Sequence, residues 1–153
     1  MENVALFLHL LGALAFVAGI VVAGVAFEAA RRQRLAADVA LLLGLTRFGV
    51  ALVGIGGTML LACGFWLASL EKISLGSGWL RAAITLFFAA LALGGVAGQR
   101  PKQARRVAVR LAKQGDEVDP ELRRLLDDRA SLIANYASAA LVLAVLALMV
   151  FKP

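Results

Sequence analysis

The only histidine of this chain, His9, falls inside its first long apolar run, Val4–Phe27. An ionisable side chain inside a segment of that kind is a functional candidate by default, because a polar group buried in hydrocarbon is costly. A neutral imidazole could ligate a haem iron or pass a proton. It could equally hydrogen-bond to a neighbouring helix. With one histidine the chain cannot build a two-histidine haem site alone, so a second ligand type or a second copy would be needed. Four other polar side chains stand within or at the edges of apolar runs: Arg47, Arg81, Asn135 and Tyr136. Arg81 is expected to snorkel to an interface. Arg47 meets headgroup phosphate if the run around it starts at Phe48, and lies within the membrane if it starts near Val39. Asn135 and Tyr136 suit hydrogen bonds between helices. The single cysteine, Cys63, has no second thiol to pair with and reads as a small packing residue.

Several chemistries have no carrier in the chain. There is no Walker loop, no G-x-G-x-x-G before a helix, no H-E-x-x-H and no G-x-S-x-G. No acidic pair lies within an apolar run, since Glu28 and Glu71 both stand at the ends of such runs. The net charge is +6, but the basic segments lack interleaved aromatics, so nucleic-acid binding is not expected. Basic residues flanking apolar runs set orientation and meet anionic lipid.

Those residues must be positioned by helices that cross a bilayer. The chain has 153 residues, 61% apolar and only 17% charged, against about a quarter in soluble domains. Its mean hydropathy is +0.86. About 20 apolar residues span the hydrocarbon as a helix, and four stretches qualify: residues 4–27, 48–70, 79–98 and 132–151. The first has no basic leader and exceeds the apolar core of a signal peptide, so it reads as a retained span. The expected fold is an all-α, integral membrane four-helix transmembrane bundle in one domain.

The connections carry the charge. Residues 28–47 hold Arg31, Arg32, Arg34 and Arg47, and their apolar piece Val39–Leu45 either extends the second helix or lies in the interface. Residues 71–78 form a short turn. Residues 99–131 hold nine Lys and Arg and read as two helical pieces. The first carries Val107, Ala108 and Leu111 and stops at Gly115. The second starts at Asp119-Pro120 and is expected to run unbroken into the fourth span. On the other side stand only Lys72, Arg81 and Lys152. This asymmetry puts both long connections in the cytoplasm, making 99–131 a cytoplasmic charged helical segment. Both termini then lie on the non-cytoplasmic side of a bacterial inner membrane.

Small residues repeat along every span. Gly12, Phe16, Gly19 and Ala23 share a stripe with His9, and Gly49, Gly56 and Cys63 recur every seven residues, flanked by Gly57 and Gly64. Gly94 and Gly98 form G-x-x-x-G, and Ala140, Ala144 and Ala147 mark the fourth span. Such stripes allow helices to approach closely. The sharper alternative is that the glycines clear room for a flat ligand such as haem.

Three passages carry a family resemblance: Leu8-His9-Leu10-Leu11-Gly12 followed by Ala18-Gly19, then Gly78-Trp79-Leu80, then Leu148-Met149-Val150-Phe151-Lys152-Pro153. They resemble a bacterial family of predicted integral membrane proteins, domain of unknown function 2269, over essentially the whole chain. More distantly the plan resembles the HemJ type of protoporphyrinogen oxidase and CopD-like copper-resistance proteins. The HemJ resemblance implies haem binding at His9. It also implies a lysine soon after the Trp-Leu pair, where this chain has Ala82, Ala83, Ile84 and Thr85. The oxidase activity is therefore not expected to carry over. The sequence is read as a non-catalytic membrane protein, a partner or assembly subunit or a homo-oligomer. The alternatives are a haem-binding redox protein using His9, and a small permease or metal-ion transporter. Against the last, the spans offer few ligands beyond His9, Met59 and Cys63.

Overall fold

A computed structural model describes residues 1–74, 76–115 and 117–151. Leu75 of the short turn, Asp116, and the closing pair Lys152-Pro153 lie outside the described residues. The described chain forms six helices: α1 (Glu2–Arg31), α2 (Ala36–Leu70), α3 (Gly78–Ala97), α4 (Gln99–Gln114), α5 (Pro120–Leu126) and α6 (Arg129–Phe151). Among the described residues, four helical stretches are long and apolar enough to cross a membrane. They are α1, α2, the stretch that begins with α3, and the one that ends with α6.

α2 answers the question of Val39–Leu45, which is helical and continuous with the second span. Its 35 residues extend about 52 Å, well beyond a hydrocarbon core of about 30 Å. The surplus enters a polar cap. Phe27 and Ala30 of α1, Val39 and Leu43 of α2, Ala104, Ala108 and Leu111 of α4, and Leu122 and Leu126 of α5 form one apolar cluster there. Hence the cap has a core of its own, although the sequence shows only charge around it. α4 supplies that core from one stripe and turns Arg106, Arg110 and Lys113 outward. It ends at Gly115, whose φ of 74° a side chain would strain.

The four spans associate as two antiparallel pairs, α1 with α2 and α3 with α6. Glycines make the first pair. A Cβ at Gly19 would stand 2.6 Å from the Gly49 oxygen, and one at Gly56 would stand 2.5 Å from the Phe16 nitrogen. Gly12 and Gly49 are closed by opposing backbone in the same way. Lipid gives these helices no hydrophobic reason to associate, so close packing has to hold them together.

The second pair is held by hydroxyls. Ser138 Oγ donates to the Ala90 oxygen at 2.8 Å, and Ser131 Oγ donates to the Ala97 oxygen at 2.7 Å. The second contact has a cause in the covalent chain. Pro101, four residues beyond Ala97, has no N–H to offer that carbonyl. In a membrane an abandoned carbonyl needs another donor, and buried Ser131 provides it. This corrects the alanine stripe expected on the fourth span. Ala140 and Ala147 are exposed, and the buried residues of α6 are Ser131, Val142 and Val145. Phe16 and Phe87, with ring centroids 5.3 Å apart, join the two pairs beside Ala83, Ala90, Val142 and Val145.

The unbroken helix expected from Asp119 into the fourth span is also corrected. Asp119 does cap α5, accepting from the Leu122 nitrogen at 2.7 Å, with Pro120 in the first turn. But α5 ends at Leu126, and Asp128 then accepts from the Ser131 nitrogen at 3.0 Å and starts α6 afresh. Two consecutive aspartates supply an N-cap where a continuous helix would need helix formers.

Candidate functional site

His9 sits half-buried where α1 meets α2, and its Nδ1 lies 2.9 Å from the Leu60 oxygen. Since a carbonyl only accepts, Nδ1 carries the proton, and in the neutral imidazole the lone pair is then on Nε2. Gly64 gives the ring its space: a Cβ there would come within 2.9 Å of the His9 Cε1. The flat group accommodated by this glycine is therefore the imidazole itself. Gly12, Gly19, Gly49 and Gly56 are filled by opposing backbone, and no haem fits between α1 and α2. Cys63 is buried on the same stripe of α2, a packing residue as its surroundings suggested.

The other sequence candidates do not gather around His9. Arg47 is exposed on α2, one turn beyond the cap residue Leu43, and it lines a cavity between the two helix pairs. Asn135 lines the same cavity from α6. Arg81 is exposed in the first turns of α3, at the end away from the cap. Tyr136 is exposed on the outer face of α6. The groups that do hydrogen-bond between helices on α6 are Ser131 and Ser138. Sequence reasoning missed both, although two serines seven residues apart in an apolar helix were a signal.

The cap collects the ion pairs. Arg31 joins Glu28 at 2.8 Å and Asp127 at 3.1 Å, Arg32 reaches Glu28 at 3.4 Å, and Arg110 reaches Glu121 at 3.3 Å. The hydrogen bond from Arg31 holds the Glu28 carboxyl below its ordinary 4.5, against an opposing effect of burial. Arg123 donates to the carbonyls of Arg31 and Gln33, partners for a helix end that otherwise lacks donors. The Val118 nitrogen donates to the Arg34 oxygen at 2.9 Å. Thus the tight turn between α1 and α2 is fastened by the segment joining α4 to α5. Among the described residues, no three of His, Cys, Asp and Glu come together as a metal site.

These features define an integral membrane protein: four apolar helices in two antiparallel pairs, with a charged helical cap at one end. The chain belongs to the family of predicted integral membrane proteins known as DUF2269, whose profile matches residues 3–153. No curated protein and no solved structure matches it.

Proposed function

We propose that this chain is a non-catalytic protein of the bacterial inner membrane that works by assembly, pairing with a second copy through α2. The observation that carries this reading is an open face of small residues. Gly54, Thr58 and Ala62 recur every four residues on α2, and all three are exposed. Nothing lies within 4 Å of a Cβ at Gly54. The Thr58 hydroxyl is already bonded to the Gly54 oxygen at 2.9 Å. The face is therefore small and apolar in effect, the kind that lets two membrane helices approach closely. The glycines that hold the protomer together, Gly49 and Gly56, point the other way toward α1. The Lys and Arg of the two long connections support a cytoplasmic cap with both termini outside, and attraction of the cap to anionic lipid.

Cysteine cross-linking in membranes tests the pairing. In a Cys63→Ala background, Ala62→Cys should form an oxidised dimer, because a two-fold contact of small residues brings the Cα atoms within the reach of a disulfide. Val21→Cys, on the exposed side of α1, should stay monomeric. Adding Gly54→Leu should abolish the Ala62→Cys dimer. Equal cross-linking at both cysteines would remove the reading. Haem ligation through the His9 Nε2 is a second reading, supported by the proton that Leu60 fixes on Nδ1. It requires a haem approaching from outside the α1–α2 contact.

A further inference from the structure

The two helix pairs meet at Phe16 and Phe87, and toward the cap they part around a cavity of about 530 Å³. Four cationic residues line it: Arg47 from α2 and Lys102, Arg105 and Arg106 from α4. Among the described residues no acidic side chain lines it, although acids pair with Arg31, Arg100 and Arg110 nearby. Asn135 adds an amide from α6. The Arg105 Nε is fully buried and has no hydrogen-bond partner among the described residues. A buried donor of that kind costs free energy until something accepts from it. Part of the lining is an apolar wall, with Phe27 of α1 and Leu43 and Val50 of α2 among its residues.

From this arrangement we infer that the cavity binds one phosphate-bearing amphiphile, with its phosphate on Arg105 and the neighbouring cations. Its hydrocarbon lies against the apolar wall. Guanidinium groups match phosphate oxygens with parallel donors, and the boundary between core and cap is the depth at which a lipid presents its phosphate. Gly95 completes the argument from the opposite wall. It lines the cavity from α3, and nothing lies within 4 Å of a Cβ built there. A larger side chain at that position has open space beside the cavity to enter and removes no charge. This site differs from general attraction of a basic surface to anionic membranes, because it holds one ligand, in one place, through a buried donor.

The test is native mass spectrometry of the full chain in detergent, titrated separately with dioleoyl phosphatidic acid, dioleoyl phosphatidylcholine and inorganic phosphate. One phosphatidic acid per chain should be retained, at least tenfold more tightly than phosphatidylcholine. Arg105→Gln should weaken this at least tenfold, and so should Gly95→Leu, which keeps every charge. Arg32→Gln, a loss of charge on the exposed cap surface, should leave it within twofold. Circular dichroism melts identify a variant that fails to fold, and Gly95→Leu favours the helix over glycine. If inorganic phosphate competes fully with phosphatidic acid at equal concentration, the hydrocarbon contributes nothing, which overturns the amphiphile and leaves a soluble phosphate as the ligand. If only phosphatidic acid is held, the ligand is a lipid. Equal weakening by Arg32→Gln and Arg105→Gln, or retention unchanged in Gly95→Leu, would overturn the inference in favour of diffuse surface electrostatics.

Discussion

Three hydrogen bonds between helices look alike but differ in what their loss leaves behind. His9→Ala removes the donor to Leu60, whose carbonyl still has its place in the α2 ladder. The expected cost is about 0.6–2 kcal/mol, the range for polar contacts between membrane helices. Ser138→Ala falls in the same class, because Ala90 lies inside α3. Ser131→Ala is different. Pro101 cannot replace the lost donor, so the Ala97 carbonyl is stranded at a cost of about 1–3 kcal/mol. Thermal unfolding in detergent should thus rank Ser131→Ala below Ser138→Ala and His9→Ala, and equal midpoints for the three would refute the argument. The His9 variant also settles the haem reading through a visible spectrum before and after haem addition. A Soret band present in the wild type and lost in His9→Ala would support it, whereas no band in either would leave His9 as a fastening between α1 and α2.

At the scale of the helix, glycines of one type divide into two groups. Gly19→Val would drive side-chain atoms into the Gly49 carbonyl, which belongs to a rigid backbone. Overpacking of this kind costs about 1–3 kcal/mol or separates the pair. Gly24→Val, one and a half turns along the same helix, meets nothing within 4 Å and should leave the melting midpoint close to wild type. The sequence made the first group legible, since Gly12 and Gly19 on one span and Gly49 and Gly56 on the next share a seven-residue repeat. That spacing marks a stripe but not its partner, and on α6 the same logic chose the wrong face. Alanines can pack against a helix or against lipid equally well, whereas a serine hydroxyl must find an acceptor. The Asp119-Pro120 start and the Gly115 stop were readable because each rests on local backbone chemistry. The break at Asp127–Asp128 rests on the same chemistry, but apolar residues on both sides obscured it.

The whole molecule is an apolar bundle fastened at one end by charge. Four spans and a charged segment were evident from hydropathy alone. The core of the cap was not, because Ala104, Ala108, Leu111, Leu122 and Leu126 are scattered among arginines, and only folding brings them to Phe27 and Leu43. The sites were less legible still: five polar candidates were visible, but a cavity is a relation between helices that no single segment encodes. The ion pairs of the cap predict a pH response. Glu28 has a lowered carboxyl pKa, so its contribution to stability is complete above the unfolded value of 4.5 and fades as pH falls through the folded one. Unfolding midpoints should hold between neutral pH and 4.5 and decline below it. Because Glu28 is partly exposed and salt screens such pairs, Glu28→Gln should flatten only part of the decline. Identical acid profiles for wild type and Glu28→Gln would show that the pairing with Arg31 is energetically silent.

During synthesis the ribosome delivers Ala97 and Pro101 well before Ser131, which lies 34 residues beyond Ala97. Throughout that interval the third span carries an unanswered carbonyl at the end nearest the cap, and α4 has no α5 to close over it. The first two spans, by contrast, hold complementary glycine faces as soon as both have emerged. Integration is therefore expected to proceed in two instalments: an early hairpin that leaves the translocon as a finished unit, and a later one detained there until its last helix arrives. A nascent chain stalled after residue 114 should remain cross-linkable to the insertion machinery through its third span but not through its first.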